Sequence, residues 1–149
     1  MTEFEKLIES PIGALTIVSD GESLTALRFG NTTRGLCSCP VLEQAAAQLA
    51  EYFAGTRRVF SVPLNAQGTD FQRSVWAALC EIGYGETASY AQIAARIGKP
   101  KVCRAVGSAN HCNPIPIIIP CHRVIGKNGS MTGYAGGISI KEFLLNLER

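Results

Sequence analysis

The chain's 149 residues, 46% of them hydrophobic, suit one compact domain or two small ones with a buried core, so it reads as an ordinary soluble globular protein. Met1 to Lys6 carries Glu3, Glu5 and Lys6 instead of an apolar stretch, and the longest aliphatic run, Ile117 to Ile119, has prolines on both sides, which argues against a signal peptide and a membrane span. The net charge of +2 hides an asymmetry: between Glu86 and Glu142 there is no acid, and Arg96, Lys99, Lys101, Arg104, Arg123, Lys127 and Lys141 make that stretch +7 against −5 for the remainder. A one-sign segment in a nearly neutral protein suggests a polyanion footprint, and a solvated basic face is the plainer alternative.

The expected location is the cytoplasm. There the six cysteines would stay reduced, so free thiols are expected in place of a disulfide framework. Cys37 and Cys39 form a C-x-C with no second pair at zinc spacing, and His111-Cys112 lies far along the chain, so no metal and no cofactor are expected.

In chain order, Phe4 to Ile8, Ala14 to Val18 and Leu24 to Phe29 read as strands of an antiparallel meander, separated by turn signals at Ser10-Pro11-Ile12-Gly13 and Asp20-Gly21. Val41 to Ala54 has Leu42, Ala45, Ala46, Leu49, Tyr52 and Phe53 at helical spacing, with Gly55 as the stop. The meander and helix form a first domain over 1–64. After a linker around Asn65 to Gly68, a second domain over 69–149 is mostly helical.

Thr69-Asp-Phe-Gln72 is a capping box ahead of a stripe of Phe71, Val75, Trp76, Leu79 and Ile82, ended by Gly83 and Gly85. Ser89-Tyr-Ala-Gln92 is a second box, opening a helix through Ile97 that Gly98 ends, and Pro100 is placed to start the next. Two short helices about four residues apart resemble a helix-turn-helix, the second carrying Lys101, Arg104, Ala105, Val106, Gly107, Ser108 and Ala109. Asn113 to Pro120 reads as extended and buried, because its prolines forbid helix. Ser139-Ile-Lys-Glu142 is expected to cap a last helix with Phe143, Leu144 and Leu147 on its apolar side and Glu148 at its end. Cys80 and Cys103 fall in helices as core thiols.

A cysteine held past a stiff segment with a histidine nearby can become a thiolate nucleophile, which singles out Cys121. Side chains of adjacent strand residues point to opposite faces, so Cys121 and His122 would have to meet through a turn or a bridging water. On these two residues alone, a reactive thiol and a buried structural cysteine both stay open.

The longer pattern, Asn113-Pro-Ile-Pro-Ile-Ile-Ile-Pro-Cys-His-Arg-Val-Ile-Gly126, resembles the active-site signature of the O6-alkylguanine-DNA alkyltransferases, also called methylated-DNA–protein-cysteine methyltransferases. The resemblance extends in order through Ser89-Tyr90, Arg104-Ala-Val-Gly107, Gly133-Tyr-Ala-Gly-Gly137 and Lys141-Glu-Phe-Leu-Leu145 to Glu148. It covers the second half of the chain; the first half agrees in length and coarse pattern.

The resemblance implies an α/β protein, with an N-terminal ribonuclease-H-like antiparallel sheet carrying a helix and a C-terminal winged-helix-like domain with a helix-turn-helix. It implies a monomer that repairs double-stranded DNA containing O6-alkylguanine by moving the alkyl group irreversibly to Cys121, once per molecule. His122 would act through a water as base, Glu148 would orient it, and Asn113 would brace the turn. Tyr90 would hydrogen-bond guanine N3, and Lys141 would support developing charge. The carbonyls of Cys121 and Val124 would accept the guanine amine, and the Ala135 N–H would face O6, where some relatives have a serine. Arg104 would replace the extruded base in the stack, with Lys101, Ala105, Gly107, Ser108 and Arg123 completing the DNA face. Two rival readings are a non-catalytic module that binds alkylated DNA and a Cys-His acyl-transfer enzyme, which would need an oxyanion hole and a substrate groove.

Overall fold

The structure, a computed structural model, describes residues 3–131 and 133–149. The chain divides into two compact units, 1–67 and 68–149.

In the first unit, three strands, β1 (Phe4–Ile8), β2 (Leu15–Ser19) and β3 (Leu24–Phe29), form an antiparallel sheet in the order β1-β2-β3. The central strand is buried along its whole length, and Leu15 faces Ile8 on one side and Phe29 on the other. The helix α1 (Pro40–Phe53) repeats apolar residues at helical spacing and packs Leu42, Ala45, Leu49 and Tyr52 fully out of water. Each larger one of these contributes about 1.5–3 kcal/mol through burial. Residues 63–65 run beside β3, with Leu24 N–H donating to Pro63 and Asn65 N–H donating to Leu24.

Among the described residues, the second unit holds four α-helices: α2 (Asp70–Leu79), α3 (Tyr90–Arg96), α4 (Cys103–His111) and α5 (Ile138–Leu147). Both capping boxes form: Thr69 and Gln72 exchange bonds at the start of α2, and Ser89 and Gln92 do so at α3. Each box satisfies donors that would otherwise be orphaned at a helix start. A short parallel pair, β4 (Ala88–Ser89) with β5 (Val124–Ile125), joins the start of α3 to the chain just after Cys121. The Trp76 indole donates to the Ala109 carbonyl at 2.8 Å, pinning α4 to α2.

Three local expectations change. Lys99 N–H donates to Ala94 and Gly98 N–H to Ala95, so residues 97–99 are spent closing α3. Lys101 consequently lies in a turn, and α4 begins at Cys103 and not at Pro100. The last helix starts at Ile138 without a side-chain cap: Gly137, at φ 98°, closes the preceding turn onto Tyr134 and leaves Ser139 inside the helix, where its hydroxyl caps nothing. Residues 113–120 are buried but not extended. The Asn113 side chain donates to Ile119 and accepts from Ile115, which folds the segment back on itself and holds Ile117 at φ 75°. That left-handed backbone costs a β-branched residue roughly 1–2 kcal/mol, and burial of Ile115, Ile117 and Ile119 offsets it.

Candidate active site

Cys121 to Arg123 form a single tight 3-10 turn at the end of the Asn113-braced loop, with Cys121 N–H donating to Ile119 and Arg123 N–H to Pro120. A turn, not a strand, therefore sets the relation of Cys121 to His122. The sulfur is nearly enclosed, Cys121 being 4% exposed. Burial pushes its thiol pKa up, while a hydrogen bond with Asn113 and the Lys141 ammonium pull it back down.

His122 is completely buried, and its Nε2 lies 2.7 Å from Glu148 Oε2. Desolvation holds the imidazole below its usual range, opposed by the Glu148 carboxylate. The other ring nitrogen, Nδ1, has no protein partner among the described residues. Glu148, the C-cap of α5, is 3% exposed and also takes Arg123: Nε donates to Oε1 at 2.8 Å and Nη2 to Oε2 at 3.1 Å. Arg123 Nη1 donates to the Ile82 carbonyl at 2.7 Å, and the guanidinium sits over the Tyr84 ring.

The loop after α2 completes this frame from the far side. The Tyr84 hydroxyl donates to the Leu147 carbonyl, and at Gly85 a side chain would come within 3.0 Å of the Glu148 carbonyl oxygen. From α5, the fully buried Lys141 donates to the Val124 carbonyl at 2.6 Å. Cys121, His122, Arg123, Asn113, Val124, Lys141 and Glu148 thus form one buried polar cluster.

The remaining sequence-selected residues lie on α3, α4 and their connections. Tyr90, the first residue of α3, is half-buried against Gly107 of α4. Lys101, Arg104, Ala105 and Ser108 are exposed, and so is Ala135 in the loop before α5. The pairing of Ser89 with Ile125 places Tyr90 one residue from the strand that follows the cysteine turn.

Arg123 does not belong with the DNA-facing residues. It is 7% exposed and each of its three nitrogens donates inward, to Glu148 or to Ile82, so the guanidinium is not presented to a phosphate. Lys141 is also internal, and the exposed basic set of the acid-free stretch shrinks to Arg96, Lys99, Lys101, Arg104 and Lys127. Cys80 and Cys103 are not core thiols either: Cys80 lies beyond the last turn of α2 and is exposed, and Cys103 opens α4 half-exposed. Among the described residues, no three His, Cys, Asp or Glu side chains are grouped to hold a metal ion.

Sequence reasoning assigned no role to Tyr134. Its ring is buried, and its phenol pKa is raised first by desolvation and then by the neighbouring Cys121. The available signal was an aromatic residue inside the glycine-rich run Gly133 to Gly137.

Two family models together span nearly all of the chain: the DNA-binding domain of 6-O-methylguanine DNA methyltransferase matches residues 70–149, and its ribonuclease-like domain matches residues 4–66. The chain belongs to the 6-O-methylguanine DNA methyltransferase family. A methylated-DNA–protein-cysteine methyltransferase of Methanosarcina barkeri is 51% identical, with 95% of this chain and 94% of the relative covered. The constitutive methyltransferase of Bacillus subtilis is 49% identical over 95% and 92%. Among solved structures, the Mycobacterium tuberculosis O6-methylguanine methyltransferase superposes with a TM-score of 0.89 at 49% identity, covering 99% of this chain and 93% of that one. A second structure from that organism, OGT in complex with DNA, gives 0.89 at 51% identity over 97% and 92%. All the residues of the buried cluster fall within the span of the family's DNA-binding domain.

Proposed function

We propose that this family member repairs double-stranded DNA as a monomer, transferring an alkyl group, methyl in the simplest case, from O6 of guanine to the sulfur of Cys121. The observation that carries the assignment to Cys121 is its burial in the same turn as a histidine that is itself backed by a buried carboxylate. This is the nucleophile, base and orienter order that thiol activation requires. The Cys121 proton passes through a water to His122 Nδ1, Sγ attacks the alkyl carbon, and the carbon–O6 bond breaks. The departing purine is neutralised by a proton at N3, with Tyr90 as donor.

Lys141 stabilises the thiolate by its charge and fixes the Val124 carbonyl. A carbonyl has two lone pairs, so Val124 can hold Lys141 and still accept the guanine amine alongside the Cys121 carbonyl. The Ala135 N–H faces O6. Outside the cluster, α4 enters the minor groove. Ala105, Gly107 and Ser108 permit close approach, Lys101 meets the backbone, and Arg104 fills the gap left by the extruded nucleotide.

The product is a thioether, which has no hydrolytic exit comparable to that of an acyl thioester, so one molecule repairs one lesion. The test is intact-mass analysis after incubation with duplex containing O6-methylguanine. One methyl gained on the Cys121 peptide, with repair stopping at one guanine per protein, is the expected result; steady turnover or an unmodified Cys121 overturns it.

A further inference from the structure

The sequence places Arg123 in a stretch without acids, yet the fold buries it against Glu148, which already serves His122. The carboxylate receives donors on both oxygens: Oε1 from Arg123 Nε, and Oε2 from Arg123 Nη2 with His122 Nε2 beside it at 2.7 Å. The guanidinium cannot swing away, because Nη1 is tied to the Ile82 carbonyl and its face lies over Tyr84.

An arginine stays protonated in a protein and can only donate. A carboxylate gripped by it on both oxygens is held in the ionised, accept-only form. The third contact, from His122 Nε2, must then be an N–H donation, which leaves the lone pair of the neutral ring on Nδ1. Nδ1 is the ring atom without a protein partner among the described residues. A protonated Glu148 would permit the opposite arrangement, with the proton on Nδ1 and no base to offer.

We propose that Arg123 is a positioning residue for alkyl transfer, holding Glu148 as a carboxylate so that His122 is fixed as the neutral Nε2–H tautomer with its Nδ1 lone pair available as base. This rests on the reading of His122 as the base for Cys121. The charged and titratable groups around the imidazole come from every packed element. Glu148 and Lys141 lie on α5, Cys121 and Arg123 on the same turn, and Tyr134 borders Cys121 from the loop before α5. Tyr84 and Cys80 lie near Arg123 on the segment after α2. Among these, Arg123 and Lys141 disfavour the imidazolium and Glu148 favours it, burial being the largest effect. Removing Arg123 therefore shifts the His122–Glu148 pair toward holding an extra proton.

The chain has two histidines, His111 and His122, so nitrogen-15 spectra of the imidazoles can be assigned with a single His111→Gln control. In the unaltered protein at neutral pH, His122 is expected to show a protonated Nε2 and an unprotonated Nδ1; the other tautomer, or an imidazolium, overturns the proposal. In Arg123→Gln, the His122 titration and the acid limb of transfer from free alkylguanine base should both move to higher pH, with a several-fold loss of rate under mildly acidic conditions. Arg123→Lys keeps the cation and should retain the tautomer and most of the rate. A uniform loss of rate at every pH, with the His122 titration unmoved, marks Arg123 as a structural brace and overturns the proposal. If Arg123→Gln does not fold, the spectrum of the unaltered protein and the Arg123→Lys variant still decide. Failure of Cys121 to gain an alkyl group in the unaltered protein would instead defeat the proposed function, and the imidazole spectra would stand apart from it.

Discussion

Replacing Glu148 by glutamine changes one atom type at the centre of the buried cluster and tests how the cluster is held. The carboxylate accepts from Arg123 at 2.8 and 3.1 Å and pairs with His122 at 2.7 Å, with Glu148 3% exposed. Glutamine offers one accepting oxygen, and its amide nitrogen meets groups that also donate. The Arg123 cation is left buried with its Ile82 carbonyl contact but no counter-charge. Breaking a buried pair by removing one partner costs about 3–5 kcal/mol, against a total domain stability of about 5–15 kcal/mol. Urea unfolding followed by the near-ultraviolet signal of the second unit should show a midpoint lowered accordingly. The double variant Glu148→Leu with Arg123→Met removes both charges and should recover much of that stability, because apolar replacements of buried pairs are often neutral. It should not recover transfer, since His122 has lost its partner. A single variant within about 1 kcal/mol of the unaltered protein would refute the view that the Glu148 charge neutralises Arg123.

Lys141→Met removes the cation that favours the Cys121 thiolate and frees the Val124 carbonyl; transfer from free alkylguanine should fall on the order of tenfold and recover as pH is raised. A rate unchanged across pH would show that the ammonium does not act on the sulfur. Arg104→Ala should slow transfer at saturating duplex on the order of tenfold to a hundredfold while leaving transfer from the free base nearly intact. Equal rates at saturation would make Arg104 a backbone contact only. Burial holds His122 below its ordinary 6.5, so the unfolded chain takes up a proton that the folded chain refuses. Stability from this source is complete above about pH 6.5 and falls as pH drops through that value toward the folded pKa, with a slope of at most about 1.4 kcal/mol per pH unit. Urea midpoints between pH 7.5 and 5.5 measure it, and His122→Gln should flatten the decline.

What the sequence revealed was local in its causes. Thr69 with Gln72 and Ser89 with Gln92 are legible because a capping box lies within four residues, and the three strands of the first unit are delimited by turns at Gly13 and Gly21. The same short-range logic misjudged Ser139, because the preceding Gly137 starts the helix by backbone conformation and leaves no cap to fill. Prolines around Ile117 exclude helix but do not dictate an extended chain; the Asn113 bonds that fold the segment reach six residues and follow no periodicity. The least legible feature is Arg123. The stretch around it holds no acid and its partner, Glu148, lies 25 residues on. Only the tertiary fold tells a buried ion pair from a basic surface.

Trp76 is the chain's single tryptophan, it is 3% exposed, and its indole N–H rests on the carbonyl of Ala109 in α4. Indole emission depends on the polarity and hydrogen bonding around the ring, so the protein carries one optical reporter at the seam between α2 and α4, the helix proposed to meet DNA. No label or engineered probe is needed to follow that seam, and no second tryptophan contaminates the signal. If α4 rides as a rigid part of its unit when DNA binds, the emission should stay buried and blue. A red shift would report that the Ala109 contact has opened.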